Sequence, residues 1–388
     1  MKKSQYKICN RSLHDSTVPG IVFDEKGECN YCKIYDKLCE SFSRGKKGES
    51  DWNNLIQKVK IKGKNKNYDC IIGVSGGTDS CWLIHLAVNA GLRPLAVNLD
   101  NGFNTDIAVK NIKKIIGSLG VDLKTYVINY EEVKDLLLCY MKASLPWIDV
   151  PTDLAIVSSL YNVASKMGIK YVFVGNDFRS EGSQPREWTY CDGLQLSHLH
   201  KKFGSVKLKT YPNLKLSNLV YYSYIKQIKM VRPFYYLEYN KKEAQQILKD
   251  EYGWEYYGGH HHENIFTKFA VSYWLPKKFN IDKRIITLSA QVLSGQLNRD
   301  KALEELSKTP YDEKQMELDK YYTIKKLDIS ESEFDDIWAR PNKFYYNYPS
   351  YFPAIKKFLN IVEPLFKYLL PWKPMMFYQM EVRKDAKK

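Results

Sequence analysis

The chain has 388 residues, 44% hydrophobic and 27% charged, with a formal net charge of +15, a composition that supports one large core or two smaller ones. No run of about 18 uncharged apolar residues exists to cross a bilayer, and MKKSQYKICNRSLHD has no apolar segment to act as a secretory signal, so the expected address is cytoplasmic. The charge suits a lysine-rich surface, an anionic substrate, nucleic acid or an acidic membrane, but the basic residues are scattered rather than blocked, which counts against nucleic acid.

Residues 1–50 read as a small N-terminal module of low periodicity. Cys9, Cys29, Cys32 and Cys39 crowd it, and Cys29-Asn-Tyr-Cys32 has the spacing of a zinc knuckle. RGKKGES at 44–50 reads as an exposed link, and a short helix is expected around WNNLIQKVKIK. YDCIIGV then suits a buried parallel strand, and TDSCWLIHLAVNAG a helix stopped by glycine. RPLAVNLDNG, DLKTYVIN and IKYVFVGND are further strands. They alternate with helices over IAVKNIKKIIGSLG, 131–144 and DLAIVSSLYNVASKMG. That alternation predicts an α/β fold, a parallel doubly wound sheet spanning 51–260. Residues 181–260 mix short elements, and 261–388 read as a helical C-terminal region. The aromatic stretch 341–388 suits core packing, a partner-docking surface or a membrane surface.

In such sheets ligands bind at the carboxyl ends of the strands. Those ends carry SGGTDS, DNG and GND. The first lacks the lysine of a Walker loop. Its backbone amides at Gly76, Gly77 and Thr78, with the Ser75 and Ser80 hydroxyls, form a nest for an anion at a helix N-terminus. Asp79 would repel a bare phosphate, so the reading places Mg²⁺ between them.

SGGTDS resembles the SGGxDS signature of the PP-loop ATP pyrophosphatases, which adenylate a carbonyl or carboxylate oxygen and release pyrophosphate. The resemblance implies that Ser75, Asp79 and Ser80 are catalytic. It also implies that Asn98, Asp100 and Asn101, with Gly175 and Asn176, contact ATP beside the loop itself. Ordinary turn chemistry explains those asparagines and glycines equally well.

Further motifs narrow the likeness. CNRS…VPGIVFDEKGECNYC, PTDLAI, GND…EG, GWEYYGGHHHENIFTKF, PKKFNIDKR and LSGQLNRDKAL together resemble the N-acetyl sugar amidotransferases of surface-polysaccharide and nonulosonic-acid pathways. Such enzymes imply conversion of an acetamido group on a sugar or sugar nucleotide to an acetamidino group. Ammonia would come from a separate glutaminase and channelling partner similar to imidazole glycerol phosphate synthase. No glutaminase nucleophile is evident here. In that family a second CxxC precedes the first; here Ser12 replaces one cysteine, so the implied zinc ligands are Cys9, Cys29 and Cys32, with His14 or Cys39 open as the fourth, the alternative being a lost site with reduced cysteines in a metal-free turn. Asp153, Glu181, Arg186, His261, Glu263 and Arg284 are the expected substrate contacts, with Lys283 beside Arg284. Asp153 equally suits a helix start, and Glu263 a solvated helix N-terminus. A tRNA-modifying PP-loop enzyme is the second reading. The net charge favours it, but Cys139 and Cys191 stand alone where a thiolase needs a pair.

Overall fold

A computed structural model describes residues 6–259, 262–309, 311–358, 361, 363–365 and 375–385. The helices that position the site are α1 (Asn30–Ser41), α2 (Lys46–Gly63), α3 (Thr78–Asn89), α4 (Asp106–Leu119), α5 (Tyr130–Lys142), α6 (Val150–Met167) and α7 (Phe178–Glu181). The strands are β1 (Cys70–Gly73), β2 (Pro94–Asp100), β3 (Asp122–Val127), β4 (Tyr171–Phe173) and β5 (Lys229–Val231).

All strand pairs are parallel, in the order β3-β2-β1-β4-β5. Ile71 of the central strand sits opposite Leu95 on one side and Val172 on the other. Successive side chains of a strand point to opposite faces. Cys70 and Ile72 therefore enter a cluster with Cys81, Ile84 and Ile115 from α3 and α4. Ile71 enters another with Leu160, Val163 and Ala164 from α6. Both faces are covered, which is why YDCIIGV reads as an unbroken apolar run.

The chain moves outward from β1 through α3 to β2 and through α4 to β3. It then returns through α5 and α6 to the far side of β1. Strand order reverses between β1 and β4, and crevices form at such switch points. The expected doubly wound parallel sheet is the observed one.

One local expectation changes. RGKKGES is not a link beyond Gly45, because α2 starts at Lys46 and buries Trp52, Ile56 and Val59 on one stripe. β5 is too short to show a period, and its pairing with β4 alone defines it. The helix Glu313–Leu327 falls within the stretch expected to be helical, and it packs against Ile265–Phe269. At the C-terminus, Phe377 and Met380 pack with Tyr345 and Phe352, the core-packing outcome for that part of 341–388.

Candidate active site

A cleft of about 450 Å³ opens at the carboxyl edge of the sheet. SGGTDS forms one wall. Gly76 has φ +82°, and a Cβ there would lie 2.3 Å from the Ala108 carbonyl oxygen. Only glycine fits a left-handed turn pressed against another backbone. Asn111 and the Trp254 indole both donate to the Gly76 carbonyl, at 3.3 and 3.1 Å. Asn98 donates to the Val74 carbonyl at 2.8 Å, tying the loop to β2. Ser80 Oγ accepts from the Ser75 amide at 3.2 Å and donates to the Gly77 carbonyl at 3.2 Å. Ser80 therefore shapes the loop from within, whereas the Ser75 side is exposed. Thr78 is fully buried and accepts from Gln245 at 3.1 Å.

Asp79 has partners that sequence reading missed. Lys241 Nζ lies 2.9 Å from its Oδ2, and the Tyr239 hydroxyl donates to its Oδ1. Burial alone would lower the Lys241 pKa, but the charge and hydrogen bond of Asp79, with the charges of Tyr257 and Glu181, together outweigh it, so Lys241 stays protonated. Burial and Asp79 together push the Tyr239 phenol well up. The protein thus places a cation of its own beside Asp79, from about 160 residues away in sequence. Nothing in the local pattern of KKEAQQILKDEY marks that lysine. Tyr257 closes the loop from above; its hydroxyl accepts from the Thr78 amide at 3.4 Å.

The end of β4 also approaches the loop closely. A Cβ on Gly175 would lie 3.0 Å from the Asp79 carbonyl carbon, so glycine lets β4 and the start of α3 meet. Asn176 donates to Glu181 Oε2 at 3.3 Å, and both line the cleft. Asn101 also lines it, fixed by Thr152 and Asn264 at 3.0 Å each.

The far end of the cleft carries Trp147, Asp149, Asp153, Thr267 and Lys283. The Trp147 indole donates to Asp153 Oδ2 at 2.6 Å, so Asp153 serves as more than a helix-start acid. Lys283 Nζ sits 4.1 Å from the Trp147 ring centroid. Burial brings the Lys283 pKa down to about 8, against the opposing charges of Asp153, Glu181 and Asp149. Glu263 lines the cleft near the loop, its Oε1 3.5 Å from where a Gly77 Cβ would lie.

Some expected contacts fall elsewhere. Arg284 forks onto Asp282 at 2.8 Å and caps the carbonyls of Glu305 and Lys308, so it braces a helix junction and its neighbour Lys283 takes the cleft position. Arg186 is spent on the Tyr345 hydroxyl at 3.1 Å and the Phe352 ring, because the C-terminal segment folds back over it. Asp100 accepts from the Gly102 amide and holds a turn just outside the lining. His261 lies outside the described residues. Among the described residues no cysteine lines the cleft.

The knuckle residues do come together. Cys9, Cys29 and Cys32 are buried with their sulfurs within 4.8 Å of one another. Cys39 is not among them; it lies against Tyr35. Hydrogen bonds from Cys29 and Cys32 pull the Cys9 thiol far down, while Cys29 is pushed up to about 11.

Residues 263–362 match the family model described as LPS biosynthesis protein WbpG-like, C-terminal domain. Over this segment the chain is similar to the WbpG-like family. The WbpG-like segment supplies Glu263, Asn264, Thr267 and Lys283 to the cleft that SGGTDS walls on the other side. No curated protein matches the chain. Similar solved structures include an NH3-dependent NAD synthetase from Campylobacter jejuni, at 17% identity and TM-score 0.25, over 39% of this chain and 58% of that one. They also include NMN synthetase from Francisella tularensis, at 16% identity and TM-score 0.29, over 61% and 94%. A U34-tRNA thiolase, NcsA from Methanococcus maripaludis, is 12% identical with TM-score 0.31, over 65% and 79%. Among the described residues no helix is long and apolar enough to cross a membrane.

Proposed function

We propose that the chain is an ATP-dependent amidotransferase of surface-glycan biosynthesis. It adenylates the acetamido oxygen of an N-acetylated sugar or sugar nucleotide, then exchanges that oxygen for ammonia to leave an acetamidino group. The observation that carries this reading is the shared cleft, in which the glycine loop and the WbpG-like segment face each other.

The residues suit ATP. At Gly76 and Gly175 the loop packs against Ala108 and Asp79 too closely for a Cβ, which leaves its backbone in place at the cleft, and Lys241 holds positive charge beside Asp79. In the proposed arrangement the loop amides and Lys241 hold the β- and γ-phosphates, while Asn98, Asn101, Gly175 and Asn176 frame the nucleoside at the switch point. Mg²⁺, when bound with the nucleotide, would neutralise the departing pyrophosphate, and Asp79 and Glu263 are the carboxylates nearest the loop. Asp149, Asp153 and Glu181 can accept from sugar hydroxyls, and Trp147 offers an aromatic wall.

The amide oxygen attacks the α-phosphorus and pyrophosphate leaves. Ammonia attacks the imidate carbon, loses a proton, and AMP carries the oxygen away. The amide carbon is a poor electrophile until adenylation gives its oxygen a good leaving group. Without a glutaminase of its own, the isolated chain should use ammonium. A glutaminase and channelling partner are what the family resemblance adds.

Mass spectrometry of reactions with ATP, Mg²⁺, ammonium and a panel of N-acetylated nucleotide sugars tests this. The product should be lighter by the difference between oxygen and NH, with AMP and pyrophosphate formed. Formation of ADP instead, or turnover of glutamine by the chain alone, contradicts it.

A further inference from the structure

The cysteine cluster has three thiols and a filled fourth corner. Cys9 and Cys32 sulfurs are 3.6 Å apart, as are those of Cys29 and Cys32. Tetrahedral zinc with bonds of about 2.3 Å to sulfur sets its sulfurs about 3.8 Å apart. An oxygen ligand bound at about 2.0–2.2 Å then lies about 3.5–3.7 Å from each sulfur. Ser12 Oγ is 3.5 Å from Cys32 Sγ and 3.8 Å from Cys29 Sγ, in a residue with no exposed surface.

His14 is not at that corner. Its Nδ1 lies 3.7 Å from Cys29 Sγ, but its ring does not join the group of atoms within 4.8 Å that the three thiols form. Instead Nδ1 sits 2.8 Å behind Ser12 Oγ. The Cys29 amide meanwhile donates to Cys9 Sγ at 3.2 Å, the support a thiolate ligand needs.

We propose that Ser12 is the fourth ligand of a zinc-class cation held by Cys9, Cys29 and Cys32, its hydroxyl hydrogen-bonded to His14. Three thiolates around a divalent cation leave a single negative charge, and a hydroxyl ligand adds none. A fourth thiolate would bury a second charge, at greater desolvation cost.

The position of the knuckle gives the site a consequence. The Leu13 amide donates to Ser289 Oγ at 3.0 Å, Arg299 donates to the Cys9 carbonyl at 2.9 Å, and Leu13 packs on Leu288 and Ala302. Ser289 lies on the helix Arg284–Leu293, which starts directly after Lys283 of the cleft. The same helix presses on Gly182, where a Cβ would meet Ile286 at 2.7 Å, one residue beyond Glu181. The filled knuckle therefore braces the helix that carries one cleft wall and abuts another.

Metal analysis of the purified full-length chain, with spectra of its Co²⁺-exchanged form, tests the assignment. A single zinc per chain and tetrahedral cobalt bands are expected. Ser12→Cys should raise the thiolate-to-cobalt charge-transfer intensity by about a third, as three sulfur ligands become four. Ser12→Ala should weaken zinc by about 100-fold or more in chelator competition, and His14→Phe by about 10–100-fold. Wild-type affinity and spectrum in Ser12→Ala overturn the proposal. So does an unchanged charge-transfer band in Ser12→Cys, a near-isosteric variant that reports even if the alanine variant fails to fold. A wild-type chain that holds no metal after reconstitution with zinc overturns it as well.

Discussion

Replacing Lys283 by methionine should make the protein more stable and less active at neutral pH. Lys283 is held in the cleft wall with a pKa brought from 10.5 down to about 8 by burial. A base whose folded pKa is depressed contributes fully to stability above its unfolded pKa, and that contribution is lost as pH falls through the folded value. At pH 7 the charged lysine therefore costs about 3 kcal/mol relative to a neutral side chain of the same shape. Methionine also forfeits the ammonium–Trp147 contact, worth about 0.5–2 kcal/mol. The net gain is about 1–3 kcal/mol at pH 7. By pH 9.5 the cost of the wild-type lysine falls to about 1 kcal/mol, and the gap should close. Urea unfolding of both proteins at the two pH values measures this, with AMP formation assayed alongside. A variant less stable than wild type at pH 7, or a gap that does not narrow with rising pH, refutes the reasoning.

Lys241→Met leaves Asp79 as a half-buried carboxylate without its counter-charge, so nucleotide binding and AMP formation should fall by at least about tenfold, read by calorimetric titration of ATP. Gly76→Ala forces a methyl onto the Ala108 carbonyl at positive φ and should destabilise the chain by about 2–4 kcal/mol in chemical denaturation. Asp177 is buried with its pKa pushed from 3.8 up to about 6, although Arg44 pulls it back. A raised carboxyl contributes stability below pH 3.8 that is lost as pH rises through about 6. Between pH 4 and pH 7 the Asp177→Asn variant should therefore gain about 2 kcal/mol relative to wild type in unfolding free energy. Arg284→Ala should lower stability while leaving the Michaelis constants unchanged, because its guanidinium caps Glu305 and Lys308 rather than facing the cleft. A raised Michaelis constant for the sugar would place Arg284 in the binding machinery after all.

The sequence alone determined the alternation of strands and helices, because buried parallel strands must be continuously apolar and covering helices must show one apolar stripe. It also determined the loop, because adjacent glycines between strand and helix allow few conformations. Cys9, Cys29 and Cys32 were legible through spacing. What only tertiary structure decided is which side chains reach the cleft from distant segments. Lys241 meets Asp79 across about 160 residues, and Lys283 faces inward while Arg284 faces out. Adjacent residues at a helix start point in different directions, and the turn between Asp282 and the helix picks which one enters. Ser12 shows the same limit. The spacing marked a lost cysteine, but only the meeting of the 9–14 turn with Cys29 and Cys32 puts its oxygen where a fourth ligand belongs. Local pattern is set by what each residue can bury; a site is set by where folding brings residues that share no local pattern.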